Sequence, residues 1–264
     1  MNENQANKYF LLRDSKNLSN RGSDVHYHSC FEIYCLTEGE CGSFVDDKLY
    51  NLQPGDVVII PPGAIHGTHY YGERHSRILV NFSFHYVPES LLEAVSKEAY
   101  FFRGQDRWDE IAQIFAQIGE EDRCSDSFSE EAIRSLLARL IIMIVRHEIK
   151  KDMPVEASSF IEEAVKYVQS NYQNPICLED IARSCGVSKV HLSRKFKEKI
   201  GIGLNEYIGI YRLKAAKELL LTRDKMSICE VAFECGFNDS NYFSSLFKKT
   251  YGVTPSQYRK NTRV

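Results

Sequence analysis

The chain has 264 residues, 43% of them hydrophobic and 26% charged, with a formal net charge of −3. This is globular composition, and the length suits two domains that can each bury a core without a disulfide or metal staple. The longest apolar run, Leu140 to Val145, is far short of the roughly 20 residues of a membrane span, and the first ten residues lack a signal's basic start and apolar core, so a membrane or secreted protein is not expected. The charge is unevenly spread: residues 1–150 carry 15 basic and 23 acidic side chains, residues 151–264 carry 18 and 13. A basic second part beside an acidic first part predicts that only the second meets a polyanion.

Residues 8–88 read as β. Short β-favouring runs at Phe31–Leu36, Gly42–Val45, Asp56–Ile60 and Arg77–Phe84 are punctuated by the turn signals Glu38-Gly39, Asp46-Asp47, Pro54-Gly55 and Pro62-Gly63. Strands so closely spaced predict a sandwich or small barrel. His26, His28, Cys30, Glu32 and Tyr34 occupy alternate positions, which on one strand would share a face. His66 follows Pro61-Pro62-Gly63. Three imidazoles and a carboxylate can hold Fe, Mn or Zn, or can hydrogen-bond a polyol or sugar. The pattern His26–His28–Glu32 then Gly39, followed by Gly55, Pro61, Gly63 and His66, resembles the cupin motifs over residues 22–66. Two departures speak against enzymatic use: Gly22 stands too close to His26, and Tyr70 replaces an asparagine of the enzyme pattern. The resemblance therefore implies a cupin-like β-barrel or jelly roll with a sensor pocket lined by His26, His28, Glu32, Tyr34 and His66. No cofactor is expected there. The alternative is a divalent metal on His26, His28, Glu32 and His66. His69, His75 and His85 show no spacing signal and read as surface or core.

Residues 89–150 read as a helical dimerisation segment. Trp108, Ile111, Ala112, Phe115 and Ile118 form one stripe, and Ile133, Leu136, Leu137, Leu140, Ile141, Ile144 and Val145 another. Ile142, Met143 and Ile149 lie off the second stripe. Such a helix is either buried on two sides in its own domain or shared with a second subunit. The expectation is a homodimer contact through Leu140, Ile142, Met143 and Ile149. Residues 151–158, with three charged side chains, a proline and a serine, read as a linker.

Residues 159–264 show only helical patterns and an internal repeat. Ile181-Ala182-Arg183-Ser184-Cys185-Gly186-Val187 parallels Val231-Ala232-Phe233-Glu234-Cys235-Gly236-Phe237, and Leu192 to Lys197 parallels Phe243 to Lys248. Each copy has a small residue for close helix crossing (Ala182, Ala232) and a turn glycine (Gly186, Gly236). Each then has an N-cap (Ser188, Asp239) and an i,i+4 apolar pair (Leu192/Phe196, Phe243/Phe247). This is helix-turn-helix logic at 178–199 and 228–250, with Asn205 to Leu221 as a joining helix that could set two reading heads about one DNA turn, near 34 Å, apart. The segments LEDIARSCGVSKVHLSRKFKEKIG, YRLKAAKELLLT and ICEVAFECGFNDSNYFSSLFKKTYGVTPSQYR resemble the DNA-binding domain of AraC/XylS transcription regulators. The resemblance implies that Val190, Ser193 and Arg194 in the first copy, and Ser240, Asn241, Ser244 and Ser245 in the second, face bases. Ser188, Lys189, Lys197, Asp239 and Lys248 are expected at the DNA backbone. Ser245 departs from the arginine often found there.

The fold class expected is therefore α+β and multidomain, a cupin-like sensor followed by an all-α domain. The resemblance implies a cytoplasmic, non-enzymatic regulator of transcription, more often an activator. Its partners would be double-stranded DNA, a small polar and sugar-like effector, a second copy of itself and, for an activator, RNA polymerase. The eight scattered cysteines, with no CxxC pair, fit thiols in a reducing cytoplasm.

Overall fold

Positive-φ glycines close the turns between successive strands of the first unit, at Gly39, Gly55 and Gly63. The computed structural model describes residues 10–19, 25–46, 48–147 and 159–261. They form two compact units, divided between residues 157 and 158. The linker expected at 151–158, Gly22 and Ile149 lie outside the described residues.

The first unit holds β1 (Phe10–Ser19), β2 (Phe31–Glu38), β3 (Cys41–Val45), β4 (Lys48–Leu52), β5 (Asp56–Ile60), β6 (His66–Tyr70), β7 (Arg74–Phe82) and β8 (Tyr100–Arg103). One antiparallel sheet has the order β1-β7-β2-β5-β8, the other β4-β3-β6. Alternation along β2 divides its side chains. Phe31, Ile33 and Cys35 join Val57, Ile59, Val80 and Phe82 in a core shared with helices. Tyr34 and Leu36 join Cys41, Tyr50, Leu52, Val58 and Tyr70 between the two sheets. A strand buried on both faces reads as a continuous apolar run, which is why β2 and β5 are plain in the sequence.

Helices α1 (Glu89–Val95), α2 (Trp108–Cys124) and α3 (Ser129–Arg146) cover the outer face. Two expectations are corrected here. Residues 89–150 are not wholly helical: Tyr100–Arg103 is a strand paired with β5, from Ile59↔Tyr100 to Asp56↔Arg103. Four residues are too few to show a period, and the partner is distant in sequence. Leu140 and Met143 are not surface contacts for a second subunit. They are 0% and 5% exposed and belong to the chain's own core with Val95, Tyr100 and Phe102. Of the described members of that set, Ile142 alone is half-buried.

The second unit holds α4 (Ser159–Asn171), α5 (Leu178–Ser184), α6 (Lys189–Ile200), α7 (Leu204–Thr222), α8 (Ile228–Glu234), α9 (Ser240–Tyr251) and α10 (Pro255–Asn261). The repeat becomes two helical hairpins, α5-α6 and α8-α9, joined by α7. The buried side of α7 changes along its length. Tyr207 meets Phe196 of the first hairpin, with ring centroids 5.6 Å apart, whereas Leu213, Ala216 and Leu220 enter the core of the second with Val231, Ala232, Phe243 and Phe247. Arg212 adds a clasp: its Nε donates to the Tyr172 carbonyl (2.8 Å) and its Nη2 to that of Asn174 (2.9 Å).

The two turn glycines have different surroundings. Gly186 has φ +66° and open space where a Cβ would stand, while Gly236 has φ +81° and a Cβ there would overlap the Tyr172 carbonyl oxygen. Gly186→Ala should therefore cost about 1–2 kcal/mol of left-handed strain. Gly236→Ala should cost that plus displaced backbone, at least ~3 kcal/mol in all. Urea unfolding of the two variants checks the order. Equal losses would contradict it.

Candidate effector site and nucleic-acid interface

The cluster predicted from spacing forms, by a different route from the one expected. β2 starts only at Phe31, so His26 and His28 do not reach Glu32 by strand alternation. Instead, His26 makes an isolated antiparallel bridge with His66, each backbone N–H donating to the other's carbonyl at 2.9 Å. The N–H of Gly63 donates to the His28 carbonyl (2.8 Å), so the Pro-Gly turn docks on the same segment. One ligand atom from each of His26, His28, Glu32 and His66 lies within 4.8 Å of the others.

Hydrogen bonds fix the rings. His66 Nδ1 donates to the Ala64 carbonyl (2.9 Å), leaving Nε2 a lone pair that is buried without a hydrogen-bond partner among the described residues. That atom stands 3.8 Å from Glu32 Oε2. His28 approaches the same oxygen through Nε2 (3.2 Å) and holds the Cys30 carbonyl with Nδ1 (3.0 Å). Asn81 Nδ2 also donates to Glu32 Oε2 (2.8 Å). Glu32 and His66 are 6% and 3% exposed, whereas His26 is open to solvent.

The electrostatics follow from these contacts. Burial favours a neutral Glu32, but the hydrogen bond from His28, the nearby His66 and the Asn81 amide outweigh it and hold the pKa down to about 2. Burial opposes charge on His28 too, and is outweighed by Cys30 and by the Glu32 carboxylate, so its pKa rises. At His66, burial, with His26 and His28 beside it, overcomes Glu32 and lowers the pKa to about 4. These contacts favour the carboxylate form of Glu32, the charged form of His28 and the neutral form of His66.

Tyr34 lies on the same face of β2 but is engaged elsewhere: its hydroxyl bonds Tyr70 (3.0 Å) and Cys41 Sγ (3.6 Å). Asn81 carried no signal in the sequence, because it reaches Glu32 only through the register that sets the two residues opposite. The donor set fits a divalent cation. His28 and His66 each hold a carbonyl through Nδ1, which aims Nε2 inward as metal-binding histidines require.

In the second unit α6 and α9 present the expected outward residues. Val190 is 78% exposed. Arg194, Lys197, Asn241, Ser245 and Lys248 are exposed, and Ser193, Ser240 and Ser244 half-buried. Lys189 is bound to Glu179 of α5 and must leave it to meet a phosphate. Ser188 and Asp239 cap their helices. Ser188 accepts from the His191 N–H (3.3 Å), and Asp239 from those of Asn241 (2.6 Å) and Tyr242 (2.9 Å). Tyr242, exposed beside Asn241, was not anticipated.

The first unit matches the AraC-like ligand binding domain over residues 12–138, and the second a helix-turn-helix domain over residues 181–261. The chain belongs to the AraC family. The transcriptional activator RhaR of Escherichia coli K12 is 24% identical over 248 residues, spanning 89% of this chain and 86% of RhaR. Among solved structures, the C-terminal domain of AraT, a response regulator from Geobacillus stearothermophilus, is 37% identical across 40% of this chain and 88% of its own, with a TM-score of 0.38. ToxT from Vibrio cholerae O395 is 15% identical across 97% of this chain and 99% of its own, with a TM-score of 0.41. The AraC-family sensor and DNA-binding modules thus fall on the two units. No helix among the described residues is long and apolar enough to cross a membrane.

The caps set a local expectation. Asp239→Ala should lower stability by about 1 kcal/mol. Ser188→Ala should lower it less, since one 3.3 Å bond is lost rather than two shorter ones. Thermal denaturation of both variants tests the ranking.

Proposed function

We propose that this AraC-family chain is a transcription activator that responds to a small polar, sugar-like effector and is not an enzyme. The observation that carries the reading is the convergence of His26, His28, Glu32 and His66 in the sheet unit, their ligand atoms within 4.8 Å of one another, on a chain whose other unit is a DNA-binding module. A carboxylate and imidazoles offer hydrogen-bond acceptors and donors to hydroxyl groups. RhaR, an activator of similar length, supports the sign of regulation, which implies a productive contact with RNA polymerase. DNA fragments captured by the purified protein should change with the addition of a cognate extract. The double substitution His28→Ala with Glu32→Gln should abolish that change while leaving basal DNA binding in place. A response that survives both would overturn the site.

A divalent cation is the second occupant to weigh, favoured by the unpartnered Nε2 of His66 and by the fit of the donor set. Metal analysis of the purified protein decides between them. Near-stoichiometric Zn, Mn or Fe selects metal-mediated recognition, and its loss in a His26→Ala, His66→Ala variant locates the ion.

We further propose that each chain reads two adjacent major-groove segments unequally. Arg194 is the only guanidinium among the base-facing positions, and it can make two hydrogen bonds to guanine O6 and N7. The second helix offers Asn241 among short serines. Arg194→Ala should cost about 1–3 kcal/mol and relax preference at one base pair. Lys197→Ala should weaken all sites alike and lower the salt slope by roughly one unit. Binding across single-base operator variants separates the two. A uniform loss with Arg194→Ala would reduce that residue to a phosphate contact.

A further inference from the structure

Among the described residues Arg77 has no carboxylate beside it; its guanidinium stands over the Tyr70 ring, 5.8 Å from the centroid. Arg77 stands on β7 and reaches across the gap between the sheets, where its Nη1 donates to the Tyr70 hydroxyl on β6 (2.6 Å). That hydroxyl also meets Tyr34 (3.0 Å) and Thr68 (3.2 Å). The Nε of Arg77 is buried and has no hydrogen-bond partner, and among the described residues no carboxylate stands within ion-pair distance of the guanidinium. A half-buried guanidinium with an unused donor is a costly arrangement for a chain to keep, and buried cations are ordinarily paired.

The register shows where this charge lies relative to the histidine cluster. On the inner face Glu32 is opposite Asn81, Tyr34 opposite Leu79, and Leu36 opposite Arg77. Arg77 and Asn81 are thus four residues apart, about 13 Å along the strand at 3.3 Å per residue. Between them Leu79 packs against the inter-sheet core but is only half-buried. On the edge strand β1, Arg13 pairs with Leu79 and Ser15 with Arg77. Because Phe10 and Leu12 pack into the helix-facing core, Arg13 falls on the same inner side as Arg77, and it is exposed. One end of this inner face therefore carries groups that hydrogen-bond hydroxyls, and the other carries guanidinium groups with no carboxylate beside Arg77 among the described residues.

We infer that the effector is a sugar acid, a uronate or aldonate. Its carboxylate meets Arg77, and its hydroxyls meet Glu32, His66 and Asn81. A monovalent carboxylate matches the half-buried Arg77 guanidinium, whose fork of N–H donors suits carboxylate oxygens. This inference rests on the effector reading above and adds the ligand's class to it.

Melting of the full chain tests the class with D-glucuronate, D-galacturonate and D-gluconate against D-glucose, D-galactose and glucose 6-phosphate. At least one of the acids should raise the melting temperature by several degrees where its neutral counterpart does not. Arg77→Gln should abolish that shift and Arg77→Lys should keep part of it, with far-UV circular dichroism showing both variants folded. An acid shift unchanged in Arg77→Gln, stabilisation by the phosphate alone, or no stabilisation by any acid overturns the inference. Equal stabilisation by a neutral sugar that is lost in Glu32→Gln overturns the acid class but leaves the effector site standing.

Discussion

If β2 slipped by one residue against β7, Ile33 would enter the space between the sheets and Glu32 would be driven into the core beneath the helices. The register of this one strand pair is the constraint on which the sensor unit depends. It sets Glu32 opposite Asn81 and Leu36 opposite Arg77, so it fixes at once the acidic end of the inner face and the cationic one. Aromatic packing holds it in place: Phe31 and Phe82 sit directly opposite and stack with centroids 5.5 Å apart. Slippage would unstack these rings and bury a carboxylate without its partners, two costs that reinforce each other.

The second unit solves a different problem, two similar hairpins on one helix. An α-helix has one apolar stripe in most surface settings, yet α7 must serve a neighbour at each end. It does so by burying Leu204, Tyr207 and Ile208 first and Leu213, Ala216 and Leu220 afterwards. Small residues make the close crossings possible: Ala182 and Ala232 are both buried, and a larger side chain at either place would push the reading helix away from its support. The hairpins share this frame but differ in what they present outward, one with an arginine and the other with serines and an asparagine.

Legibility in the sequence followed the position of each strand in its sheet. The runs recognised from composition became β2, β3, β5 and β7, all interior strands. Those passed over, β1, β4, β6 and β8, are all edges. An edge strand needs less apolar surface and tolerates the charges and polar groups of LRDSKNLS or HGTHY, so its composition resembles that of a loop. The same limit applied to the site. His26, His28, Glu32 and His66 could be gathered from spacing, but their strand face could not, since a backbone bridge does the gathering. Asn81, Tyr70 and Arg77 depend on which strands become neighbours. The extra apolar strip on α3 was visible, but its cover was not: Met143 is buried in a core that also takes in Val95 of α1 and Tyr100 and Phe102 of β8, and a helical reading of 89–150 has no reason to place a strand there.

The Arg212 clasp has a mechanical consequence. By holding the carbonyls of Tyr172 and Asn174 it fastens the chain leaving α4 onto α7, bypassing the 40 residues of backbone that separate Arg212 from Tyr172. Tyr172 also abuts the turn at Gly236. A pull on α4 is therefore delivered to the second hairpin through this clasp as well as to the first through the backbone. The two hairpins are loaded in parallel rather than in series, so strain arriving at the start of the unit is divided between them.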